Sequence, residues 1–431
     1  MRIDRLHIEN FKKFERTEKP FEFHPHFTLL VGDNGSGKTS VLDALAVALG
    51  LWHKVAPGSG WRNILEEEIR LIPVPAGDRI HFRPQLPTKI TVEGSVGSRE
   101  NLRWTRMIRE GGTRTTNAGA RDAEKSCNDT FQAALMQRAL LPVLAYYGAG
   151  RAWSPTNKRP NVRTSQRKPQ QFDAYRNCLD TRIHDHEVNE WFLFETVAAN
   201  GHREGRPGFQ AVKQAVLGCI PGADSVRYDS DLKEIVLSIN GNEQPFYNLS
   251  AGQRMMLAMV ADIAIKAVML NSYAYGPEEA GANNPIYVLR NSPGVVLIDE
   301  LDVHLHPIWQ RRVATDLKRT FPDIQFICTS HSPQVIGEVK PEEVRMLEGG
   351  EVTTPTRSFG IDSSRVLEEL MDATSRNESV ETLLRELFGL IDKEDFNGAR
   401  ALLPEVETQL GPDDPEVTRA RTLMAFLESN A

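Results

Sequence analysis

Eight residues near the N-terminus have the types and spacing of a loop that binds phosphate. Residues 32–39 read Gly-Asp-Asn-Gly-Ser-Gly-Lys-Thr and fit the pattern G-x-x-x-x-G-K-[ST] completely. In this pattern the glycines let backbone N–H groups surround phosphate oxygens, and the start of a helix adds a partial positive charge. Lys38 would bridge the β- and γ-phosphates of a nucleotide, and the Thr39 hydroxyl would bind Mg²⁺. The predicted nucleotide contacts of this loop are Asn34, Gly35, Gly37, Lys38, Thr39 and Ser40.

Two adjacent acids form the second group that could do chemistry. Asp299 and Glu300 follow the apolar run Val-Val-Leu-Ile at 295–298. Such a run is typical of a strand buried on both faces of a parallel sheet, where carboxylates persist only when paired or metal-bound. Asp299 therefore suits Mg²⁺ coordination, and Glu300 suits orienting or deprotonating an attacking water. A simple ion pair is the alternative explanation.

His331 is the third candidate. It stands at the carboxyl end of a second predicted strand, residues 324–331. In a parallel sheet the carboxyl ends of the strands share one edge, so His331 is predicted to lie beside the phosphates and to donate one hydrogen bond to the γ-phosphate. A purely structural histidine is the alternative.

The elements that must position these residues follow from hydrophobic periodicity. Strands are predicted at 2–9 and 27–31, and an amphipathic helix at about 38–50. Further along, the pattern predicts these segments: strands at 88–96, 101–108 and 142–147, a loop at 151–182, helix at 186–218, a hairpin at 226–239, a long helix at 251–271, a loop at 272–293, alternating strands and helices at 295–338, a hairpin near 344–353, and helices from 364 with a break at Gly411-Pro412.

Five motifs in a fixed order carry a family resemblance. Around the phosphate loop stand Ile-Glu-Asn-Phe-Lys-Lys-Phe at 8–14, Leu-Ser-Ala-Gly-Gln-Arg at 249–254, Leu-Ile-Asp-Glu-Leu-Asp at 297–302 and Thr-Ser-His-Ser-Pro at 329–333. With these motifs the chain resembles the ABC-type ATPases of the SMC, RecF and OLD group, over roughly residues 1–50 and 240–350.

The resemblance implies a fold, ligands and an assembly. The implied fold is α/β: an ABC-type ATPase head, with a P-loop NTPase parallel sheet, an antiparallel β subdomain and a helical subdomain, plus a C-terminal helical segment. The implied ligands are ATP and Mg²⁺. The implied assembly is a homodimer, with a higher oligomer as the alternative, in which Ser250, Gly252 and Gln253 of one subunit contact the nucleotide held by Lys38 of the other. The predicted domains are a head at 1–350, with its nucleotide core at 1–60 and 240–350 and an inserted region at 61–239, and an acidic helical segment at 364–431.

Some positions depart from the pattern of this group. His306 stands where many relatives carry Asp, and the pair His304 and His306 leaves a metal site as an alternative to a dimer-interface loop. We identify no Q-loop glutamine; the segment Tyr146 to Arg151 occupies about the corresponding place.

The segments between and after the motifs indicate which members of this group the chain resembles. About 100 residues separate Tyr147 from Leu249 without sustained heptads, so no long coiled coil is expected. Helices rather than a TOPRIM nuclease domain follow His331. This layout is similar to the stand-alone ATPases of Septu-type and retron-associated anti-phage systems. That resemblance implies regulation of a separate HNH-type nuclease, with residues 364–431 as its docking segment.

Charge patterning leaves other functions open. The net charge is −7; residues 364–431 hold seven Lys or Arg against fifteen Asp or Glu, and residues 151–182 hold eight against two. The basic stretch could contact nucleic acid, which favours the alternative of a DNA-binding RecF/SMC-like repair or genome-maintenance ATPase. Nuclease activity of the chain itself, through residues 184–186 or His304 and His306, lacks a convincing set of metal ligands.

Composition excludes several other classes. No apolar run approaches the roughly 18 residues of a membrane span, and the N-terminus lacks the apolar core of a signal peptide. The four cysteines are scattered, which indicates neither disulfides nor a zinc site. We therefore predict a cytoplasmic protein with no membrane partner.

Overall fold

The computed structural model describes residues 1–56, 62–76, 79–152, 170–183, 185–198, 206–272 and 286–429. The chain divides into two compact units, residues 1–360 and residues 361–431. The β-sheets of the described chain all lie in the first unit.

The strands and helices are numbered along the chain. The strands are β1 (Arg2–Phe11), β2 (Phe14–Arg16), β3 (Phe21–Glu22), β4 (Phe27–Val31), β5 (Leu71–Ala76), β6 (Arg79–Pro84), β7 (Thr88–Val96), β8 (Arg99–Ile108), β9 (Thr116–Gly119), β10 (Val143–Tyr147), β11 (Ala223–Asp229), β12 (Glu234–Ile239), β13 (Asn242–Pro245), β14 (Gly294–Ile298), β15 (Ile324–Thr329), β16 (Val344–Glu348) and β17 (Glu351–Thr353). The helices are α1 (Lys38–Leu49), α2 (Arg121–Leu135), α3 (Asp185–Ala198), α4 (Pro207–Cys219), α5 (Ala251–Asn271), α6 (Ile286–Asn291), α7 (Pro307–Thr320), α8 (Pro333–Ile336), α9 (Ser363–Leu370), α10 (Glu378–Asp392), α11 (Phe396–Leu410) and α12 (Pro415–Ser429).

A parallel sheet forms the centre of the first unit. Its order is β10-β14-β15-β4-β16-β17; neighbouring strands are parallel except for the last pair. Every residue of β4, β10, β14 and β15 is buried, as expected of apolar strands covered on both faces. The carboxyl ends of β4, β14 and β15 lie at one edge, where the phosphate loop, the two acids and His331 follow.

An antiparallel sheet lies on the other side of α1. Its order is β2-β1-β7-β8-β9, with β3 also paired to β1. Residues of β7 alternate between buried and half-buried, the period of a sheet with one face on a core. From β8, Trp104 donates its indole N–H to the carbonyl of Ala48, 3.3 Å away, in the last turn of α1. Helix α1 contacts strands of both sheets and so joins the two layers.

A smaller sheet and several helices complete the first unit. Strands β11, β12 and β13 form an antiparallel sheet that packs against α3 and α4. Helix α4 also packs against α5, most of whose residues are buried. The long apolar helix predicted at 251–271 is thus confirmed, with Ser250 as its N-cap.

Several segments differ from the prediction. The helix predicted at 186–218 is two helices, α3 and α4, and the loop predicted at 272–293 contains α6 in its described part. Strand β10 lies in the range 61–239 predicted as an insertion, but it pairs in parallel with β14 and belongs to the nucleotide core. The prediction placed no elements at β5, β6 or α2. The Pro-rich sequence of β5 hid that strand, because proline is tolerated only at a sheet edge.

The second unit is helical in its described part. Helices α10, α11 and α12 pack around a core of their own, made of Leu384, Leu387, Ile391, Ala399, Val406, Val417, Ala420 and Met424. Gly411 ends α11 with φ 90°, a conformation that glycine adopts without strain, so the predicted break is confirmed. None of the helices in the described ranges combines the length and apolar character that a membrane crossing requires.

Candidate functional site

The phosphate loop joins β4 to α1 and is shaped by its glycines. Gly35 and Gly37 have φ of 76° and 108°, in the region that favours glycine. A Cβ on Gly37 would lie 2.7 Å from the ring of Phe14, and Lys13 donates a hydrogen bond to the carbonyl of Gly35. The opening motif at 8–14 therefore packs directly on the loop and supports its shape.

Lys38 folds back over the loop that precedes it. Its ammonium donates to the carbonyl oxygens of Gly32 at 2.7 Å and Asp33 at 2.9 Å. Burial lowers the pKa of Lys38, and the attraction of Asp299 and other acids opposes part of that effect. Phosphate oxygens are stronger acceptors than these carbonyls, so the ammonium is placed where a phosphate can replace them.

Thr39 and Asp299 meet at the edge of the parallel sheet. The Thr39 hydroxyl donates to Oδ2 of Asp299 at 3.0 Å, and Thr329 donates to Oδ1 of the same carboxylate at 2.7 Å. A hydroxyl and a carboxylate are the hard oxygen ligands that Mg²⁺ prefers. The two predicted metal ligands are therefore together, and their chemistry fits the ion.

Glu300 and His331 lie on adjoining turns of the same edge. The N–H of Glu300 donates to the Thr329 hydroxyl at 2.7 Å, and Glu300 itself has φ 50°. Asp302 accepts hydrogen bonds from the Ser330 hydroxyl at 2.5 Å and from the N–H of His331 at 3.3 Å. Thr329 and Asp302 were not among the predicted site residues. Their signal is their place inside the motifs at 329–333 and 297–302, next to the predicted ones.

The signature at 249–254 begins helix α5. The N–H of Gln253 donates to the Ser250 hydroxyl at 3.2 Å, and the N–H of Ser250 donates to Oε1 of Gln253 at 2.9 Å. This reciprocal cap uses the Gln253 side chain within its own helix. A Cβ on Gly252 would lie 2.3 Å from the carbonyl oxygen of His304, so only glycine fits there. Within the described ranges no hydrogen bond joins Ser250, Gly252 or Gln253 to residues 32–40 of the same chain.

Two tyrosines at the end of β10 connect the acids to both flanking helices. The Tyr147 carbonyl accepts from the N–H of Asp299 at 2.7 Å, and its hydroxyl donates to Oδ2 of Asp262 on α5 at 2.7 Å. The Tyr146 hydroxyl donates to Oδ1 of Asp43 on α1 at 3.1 Å. Burial raises the pKa of Tyr146 above its usual range, so its hydroxyl remains a donor. Strand β10 thus links the helix of the phosphate loop with the helix of the signature.

The arrangement of these motifs is matched by one family. The profile of the RecF/RecN/SMC N-terminal domain matches residues 2–350. The chain belongs to this family. The predicted ABC-type ATPase head is therefore confirmed.

The chain is also similar to individual proteins. The chain is 24% identical over 473 residues to the retron Ec83 probable ATPase of Escherichia coli, with 96% of this chain and 85% of the relative covered. It is 31% identical over 139 residues to the Septu protein PtuA of Bacillus mycoides (strain KBAB4), with 32% and 17% covered. A solved SMC head bound to the C-winged helix domain of ScpA is 17% identical, with a TM-score of 0.48 and coverage of 83% of this chain and 98% of that one. The predicted similarity to the SMC-like ATPases of retrons and Septu is confirmed.

The loop after the acids of this SMC-like ATPase contains the His304 and His306 pair. His304 has φ 61°, and His306 is the N-cap of α7, where its Nδ1 accepts from the N–H of Ile308 at 3.4 Å. An acceptor at an N-cap is also what an Asp would supply. No group of three or more His, Cys, Asp or Glu in the described part of the chain could hold a metal ion. His184 and residues 153–169 of the basic stretch lie outside the described residues.

Proposed function

We propose that the protein binds ATP and Mg²⁺ and hydrolyses the bound ATP. The observation that carries the proposal is the chain of hydrogen bonds from Thr39 through Asp299 and Thr329 to the N–H of Glu300. This arrangement supports the proposal because two hard oxygen donors, Thr39 and Asp299, meet next to the backbone of a second acid, Glu300, at the edge of the sheet that the phosphate loop follows. Lys38 would bind the β- and γ-phosphates, with Asn34, Gly35, Gly37 and Ser40 lining the loop.

The acids have separate roles in this proposal. Mg²⁺ bound by Thr39 and Asp299 would neutralise charge on the phosphates. Glu300, whose N–H is fixed by Thr329, would orient the attacking water and accept its proton. His331, whose backbone is held by Asp302, would donate to the γ-phosphate.

The proposed assembly is a homodimer around two ATP molecules. The first N–H groups of a helix have no partners within the helix. In α5 the cap uses the N–H of Gln253, which leaves the N–H groups of Ala251 and Gly252 for a γ-phosphate held by the other subunit. Within the described ranges no hydrogen bond joins the signature to residues 32–40 of the same chain. Contact between two chains would give the signature a role.

Lys38→Ala tests the nucleotide site. The variant removes the cation from the loop, and we expect ATP affinity to fall by at least about a hundredfold, as for loss of a charge-assisted contact to phosphate. Isothermal titration calorimetry with a non-hydrolysable ATP analogue measures this change. Lys19→Ala, an exposed lysine outside the site, is the control. Unchanged affinity in Lys38→Ala would refute the assignment of the loop.

We further propose that the ATPase regulates a separate effector, an HNH-type nuclease, in bacterial anti-phage defence. The names of the retron and Septu relatives support the context, and the surface of residues 361–431 supports a docking role. The arginines of this unit pair with acids of the same unit; they are Arg365, Arg376, Arg385, Arg400, Arg419 and Arg421. The remaining acids, Glu386, Glu394 and Glu405 among them, give the unit a negative surface that suits a basic partner.

Removal of residues 361–431 tests the docking role. The described contacts give this unit its own core, so the remaining chain should stay folded. The tagged ATPase is co-expressed with the protein encoded next to it. We expect that protein to co-purify with the full chain and not with the truncated chain. Retention of the partner by the truncated chain would refute docking through this unit, and circular dichroism checks its folding.

A further inference from the structure

A cavity of about 630 Å³, lined by residues with polar or charged side chains, lies beside the antiparallel sheet and away from the nucleotide loop. Among the described residues it is lined by Lys54, Asn63, Arg106, Thr113, Arg114, Thr115 and Asn117. Three of these side chains are cations, and none of these described lining residues is a carboxylate. Such a lining favours an anion.

Arg106 is the buried member of this lining, with 1% of its surface exposed. Its Nε donates to Oδ1 of Asn117 at 3.0 Å and its Nη2 to Oδ1 of Asn63 at 2.7 Å. Its Nη1 donates to the carbonyls of Val47 and Arg62. All four acceptors are neutral. Because a guanidinium has five N–H donors, one N–H of Nη2 is left after these bonds.

The charge of Arg106 is therefore not neutralised by a contacting carboxylate. Burial, together with the nearby Arg62, lowers the pKa of Arg106 to about 10. Glu124 opposes that effect, but its carboxylate is ion-paired with Lys54. A buried cation whose own partners are neutral gains from a bound anion.

Asn63 and Asn117 add hydrogen-bond donors to the lining of the cavity. Since Oδ1 of Asn63 and Oδ1 of Asn117 each accept from Arg106, the remaining group of each amide is an NH₂ donor. Both residues line the cavity together with Lys54 and Arg114, whose side chains are exposed. Contact of Arg106 with Val47 in the last turn of α1 explains why an arginine is buried there. The contact with Val47 does not explain why further N–H donors surround Arg106.

We propose that this cavity binds a phosphate-bearing anion. It lies by the C-terminal end of α1, while the phosphate loop lies by the N-terminal end. The twelve residues of α1 separate the two by about 18 Å. The site is thus distinct from the nucleotide site, and the inference does not depend on the proposed function.

Titration of pyrophosphate into the full chain carrying Lys38→Ala tests the site, because that background removes binding at the phosphate loop. We expect saturable binding with one site per chain. Adding Lys54→Gln and Arg114→Gln should weaken it by at least about tenfold, because two charge-assisted contacts are lost. Both side chains are exposed, so folding should be unaffected. Arg103→Gln, an exposed arginine on the opposite face of β8, should leave binding within about twofold.

Two results would overturn the proposal: no saturable pyrophosphate binding in the Lys38→Ala chain, or equal affinity with and without Lys54 and Arg114. Competition identifies the source of the phosphate. Displacement of pyrophosphate by a short DNA duplex would assign the site to a nucleic-acid backbone. Failure of the duplex to compete, with binding intact, would assign it to a small phosphorylated ligand.

Discussion

Thr329 joins the two acids that the sequence singles out. Its hydroxyl donates to Asp299 and accepts from the N–H of Glu300. The apolar run before the acids and the phosphate loop were enough to predict Asp299 and Glu300. The hydrogen bonds of Thr329 could not be predicted from local pattern, because they span about thirty residues and depend on β14 lying next to β15. The sequence identifies the acids because their types and positions are those of a known motif. The order of the strands determines which neighbouring residues form hydrogen bonds with them.

His53 gives a prediction about pH. It is buried with 5% of its surface exposed, and burial together with Arg106 lowers its pKa to about 4. In an unfolded chain a histidine has a pKa of about 6.5. The folded state favours the neutral ring, so the stability contributed is complete above about pH 6.5 and falls as the pH drops towards 4. Between pH 7.5 and pH 5 this one group should cost about 2 kcal/mol of unfolding free energy.

Urea unfolding of the wild type and His53→Gln at the two pH values measures that difference. Other groups titrate in both proteins, so the comparison isolates His53. The wild type should lose about 2 kcal/mol more than the variant. Equal losses would show that His53 is not held neutral by the fold.

At the scale of elements, β10 connects the parts of the site. The sequence predicted a buried strand at 142–147, and the structure adds that it forms an edge of the parallel sheet beside β14. Its two tyrosines reach α1 and α5. Elements with long apolar runs, such as α5, were predicted well. Strand β6, whose residues are all exposed, and helix α2, which is buried on one side only, were missed, because neither has a sustained apolar run.

Tyr147→Phe tests the connection between the acids and the signature helix. The change removes the hydroxyl bonded to Asp262 and leaves the carbonyl bonded to Asp299. We expect the Kd for ATP to stay within about twofold, while kcat falls about tenfold, since the signature is no longer aligned with the acids. Steady-state phosphate release and ATP titration measure the two quantities.

The matched control is Tyr287→Phe, which removes an exposed tyrosine hydroxyl from α6. It should leave both quantities unchanged. A Tyr147→Phe protein with the kcat of the wild type would show that the bond to Asp262 does not couple the two elements. A lost affinity for ATP would show that Tyr147 serves the binding site instead.

At the scale of the whole molecule, the order of the motifs was more informative than any single one. That order predicted the ATPase head, and the family match over residues 2–350 confirms it. For the second unit the resemblance implied docking of a nuclease, but the packed helices and paired arginines of this unit suit both a docking surface and a solvated cap. The function that we propose for the head requires that two copies of the chain close around ATP.

Glu300→Gln tests that central claim most directly. The substitution should keep ATP bound and slow its hydrolysis, so the closed form should accumulate. Light scattering after size exclusion with ATP and Mg²⁺ should then give a dimer, twice the 48.3 kDa of one chain. Ser250→Arg added to the same chain should return it to a monomer, because the signature would no longer accept the partner's nucleotide. A Glu300→Gln chain that binds ATP and remains monomeric would contradict the account.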